Sequence, residues 1–259
     1  MSWFGKILGG TFGFMMGGPL GALMGVALGN YFDGGLENVS RNGGLGIGAT
    51  ERVQSVFFTV TFSVMGYVAK SDGKVTKDEI ALAEQVMDQM QLSAAQRKIA
   101  MTLFNEGKKP GFQIHAVLQQ FKQELSRRST LVQMFLEIIS AVALSDGRLD
   151  TKEQKILEQI ATDLGYSLAE FNELLGRVSG QAHFSGQVSS ADKLAAAYEL
   201  LGVKSDVDAA ELKKAYRRQM NQHHPDKLVA KGLPEEMMDI ATKKTQDIKS
   251  AYELIKTHS

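Results

Sequence analysis

The C-terminal part of the chain is organised around the sequence RRQMNQHHPDK, residues 217–227. Pro225 has no backbone N–H and disfavours the α conformation at the residue before it, so a helix that reaches the two histidines cannot continue past them. His224 is therefore predicted to lie on a loop, with Asp226 and Lys227 beside it. Whether this loop is a contact surface or only a turn decides most of the functional interpretation.

Helical patterns flank the loop on both sides. We predict a first helix over about 193–201 and a second over about 208–222, which opens with a capping box formed by Asp208 and Glu211. A third helix begins near Pro234 and packs antiparallel to the second, with the loop at one end. The second helix carries four basic residues: Lys213, Lys214, Arg217 and Arg218. Such a cluster is as often a solvated helix face as a contact surface.

These motifs together resemble the J domain, the domain of DnaJ-type co-chaperones that activates the chaperone DnaK. The matching stretches are Tyr198-Glu199-Leu200-Leu201-Gly202-Val203, Leu212-Lys213-Lys214-Ala215-Tyr216-Arg217-Arg218, His224-Pro225-Asp226-Lys227 and Ala251-Tyr252-Glu253-Leu254. The resemblance implies that His224, Pro225 and Asp226 contact DnaK and promote its ATP hydrolysis, while the basic residues steer binding. The chain has no phosphate-binding glycine loop and no nucleophile–base set, so it is predicted not to be an enzyme.

The N-terminal segment predicts a membrane anchor. Residues 7–32 carry no charge, and this run exceeds the roughly 20 residues that a helix needs to cross a bilayer. A cleaved signal peptide has a shorter apolar core and a more basic start. Glycines at every fourth position form a ridge that favours a transmembrane homodimer: Gly9, Gly13, Gly17, Gly21 and Gly25. We therefore assign residues 1–32 to the anchor and the glycine-rich residues 33–50 to a flexible linker.

Residues 51–177 form a block that repeats itself at an offset of 74 residues. The stretch 58–64 alternates like a strand, but its repeat partner, 132–138, has a helical composition, so we predict helices for both. The block resembles the TerB-like (tellurite-resistance B-like) domain, built here from two repeats. A second flexible linker is predicted over 178–192, followed by the J domain over 193–259.

Acidic residues recur in the two repeats and raise a metal-binding hypothesis. TerB-like proteins have been suggested to bind metal through such positions, which here are Asp72, Glu79, Asp146 and Glu153. Their spacing is not that of an EF-hand loop. Predicted capping boxes at helix starts, Thr76 with Glu79 and Asp150 with Glu153, explain the glutamates without a metal. The same pattern predicts boxes at the next helix of each repeat, Ser93 with Gln96 and Ser167 with Glu170. No cofactor is predicted other than this possible divalent metal.

The overall charge and composition of the chain limit the kinds of site and partner that it can have. The net charge is zero and there are no cysteines, which excludes disulfides and thiolate sites. Nucleic-acid binding is disfavoured because the basic cluster is short and has acidic neighbours.

The order of anchor, TerB-like block and J domain resembles a family of membrane-anchored DnaJ-like proteins of Gram-negative bacteria. The resemblance implies an all-α co-chaperone of the inner membrane that recruits DnaK to membrane-proximal clients. Its N-terminus would be periplasmic and residues 33–259 cytoplasmic. The alternative is a membrane-bound metal- or stress-sensing protein that acts mainly through the TerB-like block.

Overall fold

The computed structural model describes residues 18–32, 49–70, 83–84, 86–144, 149–186 and 189–258. Every regular element within these ranges is helical, which confirms the all-α prediction. The α-helices are α1 (Gly18–Phe32), α2 (Ala49–Ala69), α3 (Ala94–Gly107), α4 (Ile114–Glu124), α5 (Ser129–Ala143), α6 (Thr151–Leu164), α7 (Leu168–Ser185), α8 (Ser190–Leu201), α9 (Ala209–His223), α10 (Pro225–Ala230) and α11 (Met238–His258). A 3₁₀ turn over Glu235–Met237 precedes α11.

Helix α2 is the centre of the TerB-like block and packs against α3, α4 and α5. It is buried on all sides over residues 53–66, including the polar Thr61 and Ser63. The Ser63 hydroxyl donates to the carbonyl oxygen of Thr59 at 2.8 Å, so the helix itself supplies its partner. A helix that is apolar around its whole circumference is stable only when neighbouring helices cover it. The helical prediction for 58–64 and for its repeat partner in α5 is therefore confirmed.

Two glycines allow α2 and α3 to approach closely. A Cβ atom added to Gly66 would lie 1.9 Å from the carbonyl oxygen of Phe104. A Cβ atom added to Gly107 would lie 1.7 Å from the carbonyl oxygen of Ser63. Because the obstructing atoms belong to the backbone, this crossing leaves no room for a side chain at either glycine.

The predicted capping boxes are present at three helix starts, whereas of the box predicted between Asp208 and Glu211 the structure shows one half, the Glu211 N–H donating to Asp208 Oδ1 at 2.7 Å. They pair Ser93 with Gln96 at α3, Asp150 with Glu153 at α6, and Ser167 with Glu170 at α7. At α6 the backbone N–H of Asp150 donates to the Glu153 carboxylate at 3.1 Å. The capping box predicted between Thr76 and Glu79 lies outside the described residues.

The structure differs from the predicted linker over 178–192. Helix α7 continues to Ser185 and α8 begins at Ser190, so most of this stretch is helical. The reason is burial, because Val178 and Phe184 are enclosed and Phe184 joins the core of the C-terminal module. A Cβ atom added to Gly180 would lie 2.7 Å from the backbone nitrogen of Leu200, so α7 and α8 are in direct contact. Of the other predicted linker, over 33–50, only residues 49 and 50 are described, and they already belong to α2.

Helices α8, α9 and α11 form the C-terminal module around a separate apolar core that includes Leu200, Leu212, Ile248 and Ile255. Helix α8 ends at Gly202, whose φ of 66° lies in the left-handed region that glycine tolerates best. Helices α9 and α11 lie side by side, and the rings of Tyr216 and Tyr252 stack with centroids 4.3 Å apart. The predicted three-helix module with an antiparallel pair is confirmed.

Helix α1 covers the described part of the N-terminal segment. Its Leu20, Leu23, Met24 and Ala27 are buried in the core of the TerB-like block, and the Leu20 N–H donates to Gln120 Oε1 at 3.1 Å. Among the described helices, none combines the length and the apolar character needed to span a membrane. Residues 1–17 of the predicted anchor lie outside the description.

Candidate functional site

The His-Pro-Asp sequence joins two helices rather than lying in an irregular loop. Helix α9 ends at His223, and His224 follows with φ −60° and ψ 123°, the extended conformation that a following proline favours. Pro225 is the first residue of the short helix α10. A backbone N–H at this position makes no hydrogen bond within the helix, so proline, which has none, is well tolerated there. The predicted loop is thus corrected to a sharp turn at His224, with Asp226 and Lys227 in the first turn of α10.

The turn is open to solvent. The Asp226 side chain is 87% exposed and the His224 side chain 45% exposed. The Nδ1 atom of His224 is nevertheless enclosed: it lies 4.0 Å from Asp226 Oδ2, beyond hydrogen-bond distance, and has no hydrogen-bond partner in the described part of the chain. Lys227 donates to the Asn221 side chain. A binding partner can therefore reach the first and last residues of the tripeptide without the domain unfolding.

The basic residues of α9 lie on its solvent face. Lys213, Lys214, Arg217 and Arg218 are all exposed, whereas Leu212 and Ala215 face the core. None of the four has an ion-pair partner among the residues that the structure describes. This strip of uncompensated charge leads along α9 towards the His-Pro-Asp turn.

The residue just before the tripeptide connects the C-terminal module to the TerB-like block. His223 is buried, and its Nε2 lies 2.9 Å from Glu137 Oε2 and 3.0 Å from Glu137 Oε1. Lys244 of α11 places its Nζ 2.6 Å from Glu137 Oε2. Gln133, one turn earlier in α5, donates to Glu137 Oε1 at 2.9 Å. We call Glu137, His223 and Lys244 the interdomain triad.

The triad is ionic. Burial alone would raise the pKa of the Glu137 carboxyl, but the opposite charges and hydrogen bonds of His223 and Lys244 hold that pKa well below its usual range. His223 Nδ1 faces the carbonyl oxygen of Gln219 at 2.9 Å, so both ring nitrogens are directed at oxygen acceptors. The His223 imidazole and the Lys244 ammonium thus enclose one buried carboxylate.

The triad is not predictable from local sequence patterns. These patterns place His223 at the end of a helix and do not connect it with Glu137 or Lys244. A signal was present, because Glu137 stands within the apolar run 134–139 of α5, where a charged residue needs a partner. The pairing joins positions 86 residues apart, and nothing in the local pattern indicates which residue satisfies the carboxylate.

The hypothetical metal site is only partly visible. Asp72, Glu79 and Asp146 lie outside the described residues, and Glu153 serves as the third residue of the α6 capping box. In the described ranges no group of three or more histidine or acidic side chains could hold a metal ion. Metal binding by the TerB-like block stays a prediction, which calorimetry with divalent cations would test.

A solvent-exposed His-Pro-Asp turn between packed antiparallel helices, approached by an exposed basic helix face, defines a J-domain co-chaperone. Residues 196–259 match the DnaJ domain family, and residues 59–175 match the family described as tellurite resistance protein TerB. Residues 1–39 match the co-chaperone DjlA transmembrane domain. The chain belongs to the DjlA family of membrane-anchored co-chaperones.

Relatives support this assignment over nearly the whole chain. The chain is similar to the proteins named co-chaperone protein DjlA of several Gram-negative bacteria. It is 43% identical to that of Photobacterium profundum over 270 residues, which cover 98% of each chain. It is 47% identical to that of Shewanella oneidensis over 213 residues, 82% of this chain and 81% of the relative. It is 43% identical to that of Escherichia coli over 215 residues, 78% of this chain and 79% of the relative. No solved structure gives a significant match.

Proposed function

We propose that this co-chaperone stimulates the ATPase of a DnaK-type chaperone through His224, Pro225 and Asp226, and that it recruits the chaperone to clients at the membrane. The observation that carries the proposal is the exposure of the His-Pro-Asp turn at the end of α9. The same turn is packed on its inner side by Leu228, which is fully buried. The tripeptide is therefore anchored on its inner side and remains available to a partner.

The exposed basic face of α9 supports the first step of binding. Lys213, Lys214, Arg217 and Arg218 present four like charges without compensation in the described residues. Such a strip accelerates encounter with an acidic surface and loses this effect as salt screens the charges. The four residues set the rate and orientation of approach, and the tripeptide makes the contact that activates the ATPase.

The experiment is an ATP-turnover assay with a purified bacterial DnaK and the full-length chain in lipid nanodiscs. The chain is expected to accelerate hydrolysis in a saturable way, with a half-saturating concentration that rises with ionic strength. Empty nanodiscs provide the baseline. A wild-type chain that leaves the rate at this baseline contradicts the proposed function.

The orientation in the membrane follows from the partner's need for ATP. We propose that the N-terminus is periplasmic and that residues 33–259 are cytoplasmic. Because the chain contains no cysteine, single cysteines report accessibility without background. Ser2→Cys is expected to react with a membrane-impermeant maleimide on intact spheroplasts, whereas Ser205→Cys in the J domain is expected to react only after lysis. The reverse pattern would contradict the orientation.

Self-association through the glycine ridge is the remaining part of the proposal. Of the five ridge residues, Gly21 is buried against the TerB-like block, and a side chain at Gly25 would meet no atom within 4 Å. Gly9, Gly13 and Gly17 lie outside the described residues. Replacing Gly13 and Gly17 together by leucine is expected to weaken association in a membrane two-hybrid assay, because the added side chains hold the helices apart. Ala22→Leu, off the ridge, serves as the control. Equal association of all three proteins would show that Gly13 and Gly17 do not form the dimer contact.

A further inference from the structure

The TerB-like block holds the His-Pro-Asp turn at both of its ends. On the N-terminal side, His223 is bonded to Glu137 of α5. On the C-terminal side, Leu228 is buried in the core cluster of the TerB-like block, together with Leu233, Met237 and Ala241. Lys231 also donates to Thr130 Oγ1 at 2.6 Å. Residues 224–227, between His223 and Leu228, are partly or fully exposed, so the position of the tripeptide depends on the contact between the domains.

The apolar and ionic parts of this contact have different consequences. Apolar burial is not directional, and it tolerates small shifts of one surface over the other. A carboxylate that is 4% exposed cannot shift in the same way, because any displacement from its donors leaves a charge unpaired in a dry interior. The bonds to Glu137 therefore select one arrangement of the domains among those that apolar packing would allow.

The ring of His223 transmits this selection to the tripeptide. Its Nδ1 donates to the carbonyl oxygen of Gln219 in the last turn of α9, and its Nε2 meets the carboxylate. The ring thus connects the end of α9 to α5, and His224 follows directly. Lys244 of α11 lies 2.6 Å from the same carboxylate, so both helices of the antiparallel pair are bonded to Glu137.

We propose that Glu137 of the TerB-like block is a positioning residue for the J domain, which sets the orientation of the His-Pro-Asp turn relative to the chaperone. This inference rests on the proposed function. It assigns to the TerB-like block the task of holding the activating turn in its productive orientation. It also makes the J domain part of a continuous structure rather than a module on a flexible tether.

The test compares Glu137→Gln with the wild type, both as full-length chains in nanodiscs, in the ATP-turnover assay. Glutamine keeps the size of the side chain but removes the negative charge to which His223 and Lys244 are bonded. The maximal stimulation is expected to fall at least about threefold, because the orientation that the ion pairs select is no longer the dominant one. The half-saturating concentration is expected to stay near that of the wild type, because the basic face of α9 is unchanged.

The maximal stimulation and the half-saturating concentration together distinguish a loss of positioning from a loss of folded protein. If the substitution only unfolded a fraction of the chains, more protein would be needed to reach saturation, but the maximum would be unchanged. A raised half-saturating concentration with an unchanged maximum therefore overturns the proposal, as does an unchanged profile. A wild-type chain that gives no stimulation would instead contradict the proposed function.

A cross-link provides the rescue experiment. Thr130→Cys and Lys231→Cys place thiols at the second attachment, and a short bismaleimide can replace the reach of the lysine side chain. Cross-linking is expected to restore most of the lost maximum in the Glu137→Gln chain and to leave the chain with native Glu137 unchanged. A loss that the cross-link does not restore overturns the proposal. Glu173→Gln, an exposed glutamate in α7, is the matched control and is expected to match the wild type.

Discussion

Replacing His224 by glutamine is expected to reduce the stimulation of DnaK at least about tenfold at sub-saturating concentration, the loss typical of a central contact residue. The imidazole side chain is 45% exposed, so a chaperone can contact the ring directly, whereas its Nδ1 atom is enclosed and has no hydrogen-bond partner in the described part of the chain. Glutamine is polar but cannot reproduce the ring. The measurement is the ATP-turnover assay with full-length chains in nanodiscs.

The substitution should leave the fold intact, because the structural role of His224 belongs to its backbone. Its carbonyl oxygen accepts from the N–H groups of Lys227 and Leu228, both at 3.1 Å, and any residue can provide that oxygen. His183→Gln, at an exposed position in α7, is the matched control. Equal stimulation by the His224→Gln chain and the wild type would show that the turn is not the activating contact.

Replacing Gly66 by alanine is expected to lower the stability of the TerB-like block by about 3 kcal/mol, near the upper end of overpacking effects. The added methyl group would meet the carbonyl oxygen of Phe104 at 1.9 Å, and a backbone atom cannot move aside as a side-chain tip can. Helices α2 and α3 would have to separate, which loosens the packing of buried α3 side chains such as Leu103 and Phe104. Thermal unfolding of the full chain, followed by far-UV circular dichroism, should show a Tm lower by about 6–12 °C.

The same substitution at Gly176 provides the control. Gly176 lies within α7, and a Cβ atom there would meet nothing within 4 Å. Alanine is preferred over glycine inside a helix, so Gly176→Ala is expected to stabilise the chain by about 0.5–1 kcal/mol. If Gly66→Ala behaved like Gly176→Ala, the close crossing of α2 and α3 would be refuted.

The contact between the domains means that the J domain is packed against the TerB-like block and is not carried on a flexible linker. A J domain on a flexible linker would sample many orientations, and its local concentration near the membrane would be its main advantage. Here α7 continues into the interface, and Leu228 and Leu233 complete the core of the TerB-like block. Removing that block would therefore expose apolar surface on the J domain.

The helices and the contact residues could largely be predicted from local patterns. Asp208 caps α9, Gly202 ends α8, and the paired capping boxes begin α6 and α7 as predicted. Each of these signals acts over a few residues, so a single sequence is enough to recognise it. The predicted linker over 178–192 failed for the opposite reason. Its serines and glycines resemble a tether, but Gly180 is small because α8 approaches it closely.

Local sequence patterns are enough to show that this protein is helical, that it carries a J-domain tripeptide next to a basic helix, and that its middle part is a repeat. These properties depend on short-range spacing, which the chain carries in every conformation. Only the tertiary structure decided that His223 meets Glu137 and Lys244, because a carboxylate in an apolar helix indicates that a partner exists but not which one. The exposed His224 and the buried His223 are neighbours in sequence, and folding alone assigns one to the solvent and the other to the domain interface.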